Sequence, residues 1–269
     1  MRYDVDLNLP LIAKSDFLGY RVESVRVSEC VASIESAIIS YSANSSTRCC
    51  WLACLNPHSY VVALDNVPFS QALHSADWLI PDGVGVVLAS RLLGGSITER
   101  VAGNDIFEGV SRHLNERGGM SVFFLGATPE TLRLIENKLA QDYPNIRVAG
   151  TYSPPYRDEF TSEENEEMLT SINAAKPDVL WVGMSSPKQD IWLHVNRDHL
   201  KVGFAAAIGA VFDFYAGNVK RPNPFFRKIG LEWFGRFLQE PRRLWRRSFV
   251  NAPIFVSHVM RAYLRRLSG

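Results

Sequence analysis

Short apolar runs of β type alternate with amphipathic stretches along most of the chain. The runs predict strands over Gly19–Val27, Cys50–Leu55, Trp78–Ile80, Ser121–Leu125, Ile146–Thr151, Val179–Val182 and Val202–Ala207. Between them, helical spacing predicts helices over Cys30–Ser40, Pro68–Ser75, Val84–Leu93, Asn104–Glu116, Pro129–Asp142, Ser162–Ala174 and Pro187–Val195. Strands separated by such helices form βαβ units, so the expected fold is α/β with a mostly parallel sheet. Sheets of this kind bind ligands in the loops at the carboxyl ends of their strands. The polar signals fall in those loops: Asn56-Pro57-His58, Pro81-Asp82-Gly83, Gly126-Ala127-Thr128 and Gly183-Met184-Ser185-Ser186-Pro187.

Pro222 and Pro224 break the pattern. The expected division is an α/β domain over 1–219 and a helical appendage over 220–269. In the appendage, Val256, Val259, Met260, Tyr263 and Leu267 make an apolar stripe, with Arg261, Arg265 and Arg266 off that face. A basic amphipathic helix suits a membrane surface; packing on the body or on another subunit is the alternative.

Charge sharpens that division. Residues 220–269 carry twelve Lys/Arg against Glu232 and Glu240, a net +10, which leaves −9 on the remainder. A basic, aromatic-rich tail on an acidic body calls for an anionic partner, such as a substrate phosphate or a lipid surface. The acidic body argues against nucleic acid, although Arg236, Arg243, Arg246 and Arg247 interleave with Trp233, Phe237 and Trp245. At 269 residues and 46% apolar, the chain can build one large core. No run reaches the roughly 20 apolar residues of a membrane span, and acids interrupt the N-terminus where an export signal would be apolar. The expected location is cytoplasmic. Cys49, Cys50, Cys54 and His58 cluster in the sequence, but their spacing fits no common zinc pattern, and buried strand thiols are expected. The Asp4–Asp6 pair is assigned no metal, and no G-x-G-x-x-G supports a dinucleotide cofactor.

Four segments can carry chemistry. Asp82, at a strand end before two glycines, can act as a general base or simply cap the next helix. Arg100, in RVAGND, can bind a phosphate or pair with a carboxylate. Ser186 and Pro187 suit a helix start, with Lys188 and Gln189 facing the sheet edge. Asp213 follows the most apolar strand and is either functional or paired, for example with Arg221.

These pieces occur in order: LNPHS, ADWLIPDGVGVVLASRLLG, RVAGND, FFLGATPE, PDVLWVGMSSPKQD, AIGAVFDFYAGNVKRP and LEWFGRFLQEPRRLWRR. Together they resemble the WecG/TagA/CpsF family of bacterial glycosyltransferases, over about Phe17 to Phe249. The resemblance implies a Rossmann-like domain with helices on both sheet faces and a C-terminal appendage that aids membrane attachment and completes the site. It implies inverting sugar transfer, without metal or cofactor, from a UDP-sugar to a polyprenyl-diphosphate-linked sugar on the inner membrane face. By the same resemblance Asp82 is the catalytic base. Asn56, Arg100, Gln189 and Asp213 line the pocket, and Arg236, Arg243 and Arg246 close on the donor diphosphate. Cys54 stands where many members have threonine, and Pro57-His58 replaces Ala-Glu, which bears on the donor sugar. The resemblance also admits a homo-oligomer. Two readings from other classes are a non-catalytic membrane-associated partner of polysaccharide assembly and a nucleotide-binding oxidoreductase.

Overall fold

The computed structural model describes residues 12–43, 48–219, 245 and 247–268. Strands β1 (Lys14–Phe17) and β2 (Tyr20–Glu23) form an antiparallel hairpin. Its two-residue turn is Leu18 (φ 48°) and Gly19 (φ 91°), the positive-φ pair that matches strand twist in tight hairpins. The predicted strand over Gly19–Val27 is therefore shorter: the turn takes Gly19, and α1 (Val27–Ser42) takes the far end.

Next come β3 (Cys50–Leu55), α2 (Pro57–Asp65), α3 (Val67–Ser75), β4 (Trp78–Pro81), α4 (Val84–Leu92) and α5 (Gly103–Arg117). They are followed by β5 (Ser121–Gly126), α6 (Pro129–Asp142), β6 (Arg147–Tyr152), α7 (Ser162–Ala175), β7 (Val179–Gly183) and α8 (Lys188–Asn196). The last elements are β8 (Phe204–Ala207), α9 (Val211–Ala216) and α10 (Ala252–Ser268). Helices α2 and α9 were not anticipated. Both are short, and α9 spans six residues, too few for a helical period to stand out.

Six strands make one parallel sheet in the order β4-β3-β8-β7-β5-β6. The α/β expectation is met. Alternate side chains of each central strand enter two different cores, because helices cover both faces. From β3, Trp51, Ala53 and Leu55 join the core beneath α2, α3, α4, α7, α8 and α10. Cys50 and Leu52 join the core beneath α1, α5, α6 and α9. Fully buried Trp51, Trp181, Phe123 and Phe204 anchor these layers. Burying a large apolar side chain contributes on the order of 1.5–3 kcal/mol.

β5 leads outward to β6, whereas its neighbour β7 leads the other way to β8. The two chains diverge at paired residues Gly126 and Gly183, opening the crevice typical of such a switch. Gly126 is required there. Its φ is 117°, and a Cβ would lie 2.5 Å from the Gly183 carbonyl oxygen.

Helix α10 packs on α2 through Phe255 and Val259, which join the first core. Tyr60 Oη and His258 Nδ1 hydrogen-bond at 3.1 Å, and Arg266 donates to the Leu93 carbonyl. The predicted stripe is thus only partly the buried face. Val259 is inside, whereas Val256, Met260 and Leu267 stay exposed because Phe255 turns a neighbouring face inward. Among the described residues, no helix is long and apolar enough to cross a membrane.

Candidate active site

The amino and carboxyl ends of the sheet use their polar groups differently. At the amino end, Asp178 Oδ2 accepts from Ser121 N (2.7 Å) and Ser121 Oγ (2.9 Å). Asp77 accepts from Trp51 N (3.0 Å) and is bracketed by Arg48 and Arg197. At the carboxyl end the strands open into a cleft of about 2500 Å³. Cys54, Asn56, Asp82, Arg100, Gln189 and Asp213 all line it.

Asp82 follows β4 at the lip, half-buried, with its backbone N–H bonded to the Leu55 carbonyl at 2.8 Å. It does not cap α4. Gly83 is the N-cap, at φ 110°, and makes no side-chain cap bond. Asn56 caps α2: its Oδ1 accepts from Ser59 N at 2.9 Å, while Ser59 Oγ accepts from Asn56 N at 2.7 Å. Arg100 pairs loosely with Asp105, at 3.7 Å and half-exposed. Asp213 lies in the first turn of α9, not directly after β8, because Ile208–Ala210 intervene.

The turn from β7 into α8 departs from expectation. Pro187 is the N-cap residue, outside the helix, and Ser186 does not cap it. Ser186 instead hydrogen-bonds the Asp190 carboxylate. Gln189 is buried, and its Oε1 accepts from Gly209 N at 3.1 Å. Lys188 turns aside to lie 3.8 Å over the Phe160 ring and donates to the Arg157 carbonyl.

Asp190 received no role from the sequence. It lines the same cleft, is only 2% exposed, and its Oδ2 has no hydrogen-bond partner among the described residues. Burial pushes its pKa up to about 7, against the opposing Ser186 bond. One signal was available. Gln189, Asp190, Leu193 and Asn196 recur at helical spacing, and all four are buried.

Cys54 is half-buried at the end of β3, with its thiol 3.8 Å from the Ala207 carbonyl oxygen. Burial raises its pKa well above the usual range, and the Asp82 and Asp190 charges add to the effect. Cys49 and Cys50 are buried in or beside β3, and burial pushes Cys50 up to about 12. These thiols are held neutral, which suits packing rather than reactivity. Among the described residues, no group of three or more His, Cys, Asp or Glu side chains could hold a metal ion. Arg236, Arg243 and Arg246 lie outside the described residues.

The sheet, the switch crevice and the polar rim define a doubly wound α/β protein with an open binding cleft at its carboxyl edge. The chain belongs to the glycosyl transferase WecG/TagA/CpsF family, whose profile matches residues 15–269, and it is a glycosyltransferase. It is similar to an N-acetylglucosaminyldiphosphoundecaprenol N-acetyl-beta-D-mannosaminyltransferase of Bacillus spizizenii strain W23, with 33% identity over 206 residues and 77% of each chain covered. Enzymes of the same name are similar in Staphylococcus aureus strain MW2 (29% over 252 residues, 93% of each chain) and Bacillus subtilis strain 168 (31% over 199 residues, 73% of each).

Proposed function

We propose that this chain transfers a sugar from a UDP-sugar to a polyprenyl-diphosphate-linked sugar by a single, inverting displacement that uses no metal. The carrying observation is that Asp82 shares one cleft with Asn56, Arg100, Gln189 and Asp213 at the sheet edge where α/β proteins bind ligands. The relatives' names supply the chemistry: their acceptor is a diphosphoundecaprenol-linked N-acetylglucosamine, and the group moved is N-acetylmannosamine.

In this reading the Asp82 carboxylate takes the proton of an acceptor hydroxyl. That oxygen bonds to the anomeric carbon as the bond to UDP breaks on the opposite face, and the diphosphate leaves with the electron pair. General-base assistance of this kind is typically worth about 10²–10⁴ in rate. The oxygen of Asn56 is engaged as a helix cap, which leaves its amide N–H₂ as the end for substrate. Charge on the departing diphosphate falls to guanidiniums: Arg100 in the cleft, and Arg236, Arg243 and Arg246 from the C-terminal segment. The catalytic unit is residues 1–219. The segment 220–269 attaches it peripherally to the inner face of the cell membrane, since each basic residue near an anionic leaflet contributes about 1 kcal/mol.

The test is UDP release from UDP-N-acetylmannosamine and other UDP-hexoses, with a polyprenyl-diphosphate-linked N-acetylglucosamine as acceptor and a chelator present. A product of inverted anomeric configuration supports the reading. Retained configuration, or turnover abolished by chelator and restored by a divalent cation, overturns the mechanism.

A further inference from the structure

Two helix faces continue the cleft away from Asp82. On α4 the lining residues are Gly85, Leu88, Ala89 and Leu92, one helical stripe. On α10 they are Ala252, Phe255, Val256, Val259 and Met260, again one stripe. Neither stripe carries a polar side chain, although Leu88 is 56% exposed, Leu92 43%, Val256 55% and Met260 42%. A contiguous exposed apolar surface of this kind marks a binding surface.

Its position gives it meaning. Helix α4 begins two residues after Asp82, and its nine residues run about 13 Å away from the lip. The opposite wall is held in place: Tyr60–His258 fastens α10 to α2, His58–Asn251 fastens the residue just before α10 to the start of α2, and Arg266 ties the far end of α10 to Leu93, just past α4. Polar groups therefore stand at one end, at Asp82, Asn56 and Arg100, with uncharged hydrocarbon along the rest. A ligand complementary to both has a polar head and an extended apolar tail.

We propose that the groove between α4 and α10 seats the first isoprene units of the acceptor's polyprenyl chain, aiming its head group at Asp82. This rests on the reaction proposed above and assigns a surface to its lipid half. Continuity with the Asp82 cleft favours this occupant over bilayer acyl chains or a second copy of the protein, neither of which requires the groove to begin at the site.

The experiment compares two detergent-solubilised acceptors with the same sugar diphosphate, one on a long prenyl chain and one on a short, water-soluble alkyl chain. Leu88→Gln and Met260→Gln should each lower the long-to-short ratio of kcat/KM by on the order of tenfold. Val67→Gln, at an exposed apolar residue outside the groove, should leave the ratio unchanged. Unaltered thermal midpoints check that all three variants fold. An unchanged ratio overturns the proposal. If co-sedimentation with phosphatidylglycerol vesicles falls in that case, the stripe is a bilayer contact; if the oligomeric state changes, it is a subunit contact. Binding of a fluorescent prenyl diphosphate, with no sugar, reads the groove separately. Should the wild type bind the probe, the groove variants lose it and no sugar transfer occur, the reaction fails and the groove stands.

Discussion

Carboxylates stand beyond both ends of β7, Asp178 just before the strand and Asp190 in the first turn of α8 after it, and the fold treats them in opposite ways. At the amino end Asp178 is given a backbone N–H and a hydroxyl on Oδ2, plus Ser42 Oγ on Oδ1 at 3.2 Å. Its charge is satisfied locally, and it ties β7 to β5. At the carboxyl end Asp190 is more deeply buried, keeps one oxygen unpartnered, and is driven toward its neutral form. Asp82 lines the same cleft. A carboxylate whose hydrogen-bonding capacity is filled by its own strands contributes stability. One left unfilled costs stability and is available to something that binds.

Asp82 is the largest lever on that contrast. Asp82→Asn keeps the shape and removes the basic oxygen, so transfer should fall by about 10²–10⁴ while UDP-sugar binding persists. Kinetics paired with calorimetric binding of the donor would decide it. Full turnover in the variant would remove Asp82 as base and leave the carboxyl end no more chemical than the amino end.

Asp190→Asn tests the cost of the unfilled group. The folded-state pKa, about 7, lies above the ordinary 3.8, so the folded protein holds this proton more tightly than the unfolded chain. Stability from that proton is present at low pH and is lost as pH rises through the window from about 4 to 7. At about 1.4 kcal/mol per unit, the deficit above pH 7 is about 4 kcal/mol. The asparagine variant should therefore unfold at higher denaturant than wild type at pH 8, and the gap should close toward pH 4. Equal midpoints at both pH values would contradict the burial argument.

Asp178→Ala should move stability the other way. It leaves the Ser121 N–H without its acceptor and removes bonds to a charged group, a loss of about 3 kcal/mol. Opposite signs for the two aspartates, measured in one denaturation series at pH 8, are the contrast in its sharpest form. If both variants destabilise, the ends of the sheet are alike.

Much of this was legible in the sequence, and the exceptions have physical causes. Cys50–Leu55 and Pro129–Asp142 were bounded as the structure has them. A strand buried on both faces reads as an unbroken apolar run, and Thr128 caps α6 just before a proline at its first turn. Asp82 was legible as a candidate because a strand end before a glycine-rich turn is a local signal, whereas Asn56, Arg100 and Gln189 took their expected pocket roles from the resemblance. Burial depth is not local. Within KQD itself nothing separates Gln189 and Asp190, which are inside, from Lys188, which leans on Phe160; only their spacing with Leu193 and Asn196 further along the helix does. Helix α10 misled for a related reason. It is apolar over more than one face, so periodicity finds a stripe without saying which face meets the body. Only the contact with Tyr60 and α2 selects Phe255 and Val259.

The smallest predicted effect isolates a single hydrogen bond. Ser186 is the side chain that holds Asp190 toward its ionised form, opposing burial. Ser186→Ala removes that support without touching the carboxyl group, so Asp190 should titrate at a still higher pH than in wild type. A hydrogen bond to a charged group is worth about 1.5–3 kcal/mol, which corresponds to an upward shift of roughly one to two units. The upper end of the pH window over which stability is lost should move upward by the same amount, with the lower end staying at the unfolded value near 4, whereas the Asp190→Asn background should show no such extension. Measuring midpoints against pH for wild type, each single variant and the double variant isolates this coupling. A Ser186→Ala profile that overlays the wild-type one would mean that the hydroxyl does not govern the buried charge. The unfilled oxygen of Asp190 would then answer to the cleft alone.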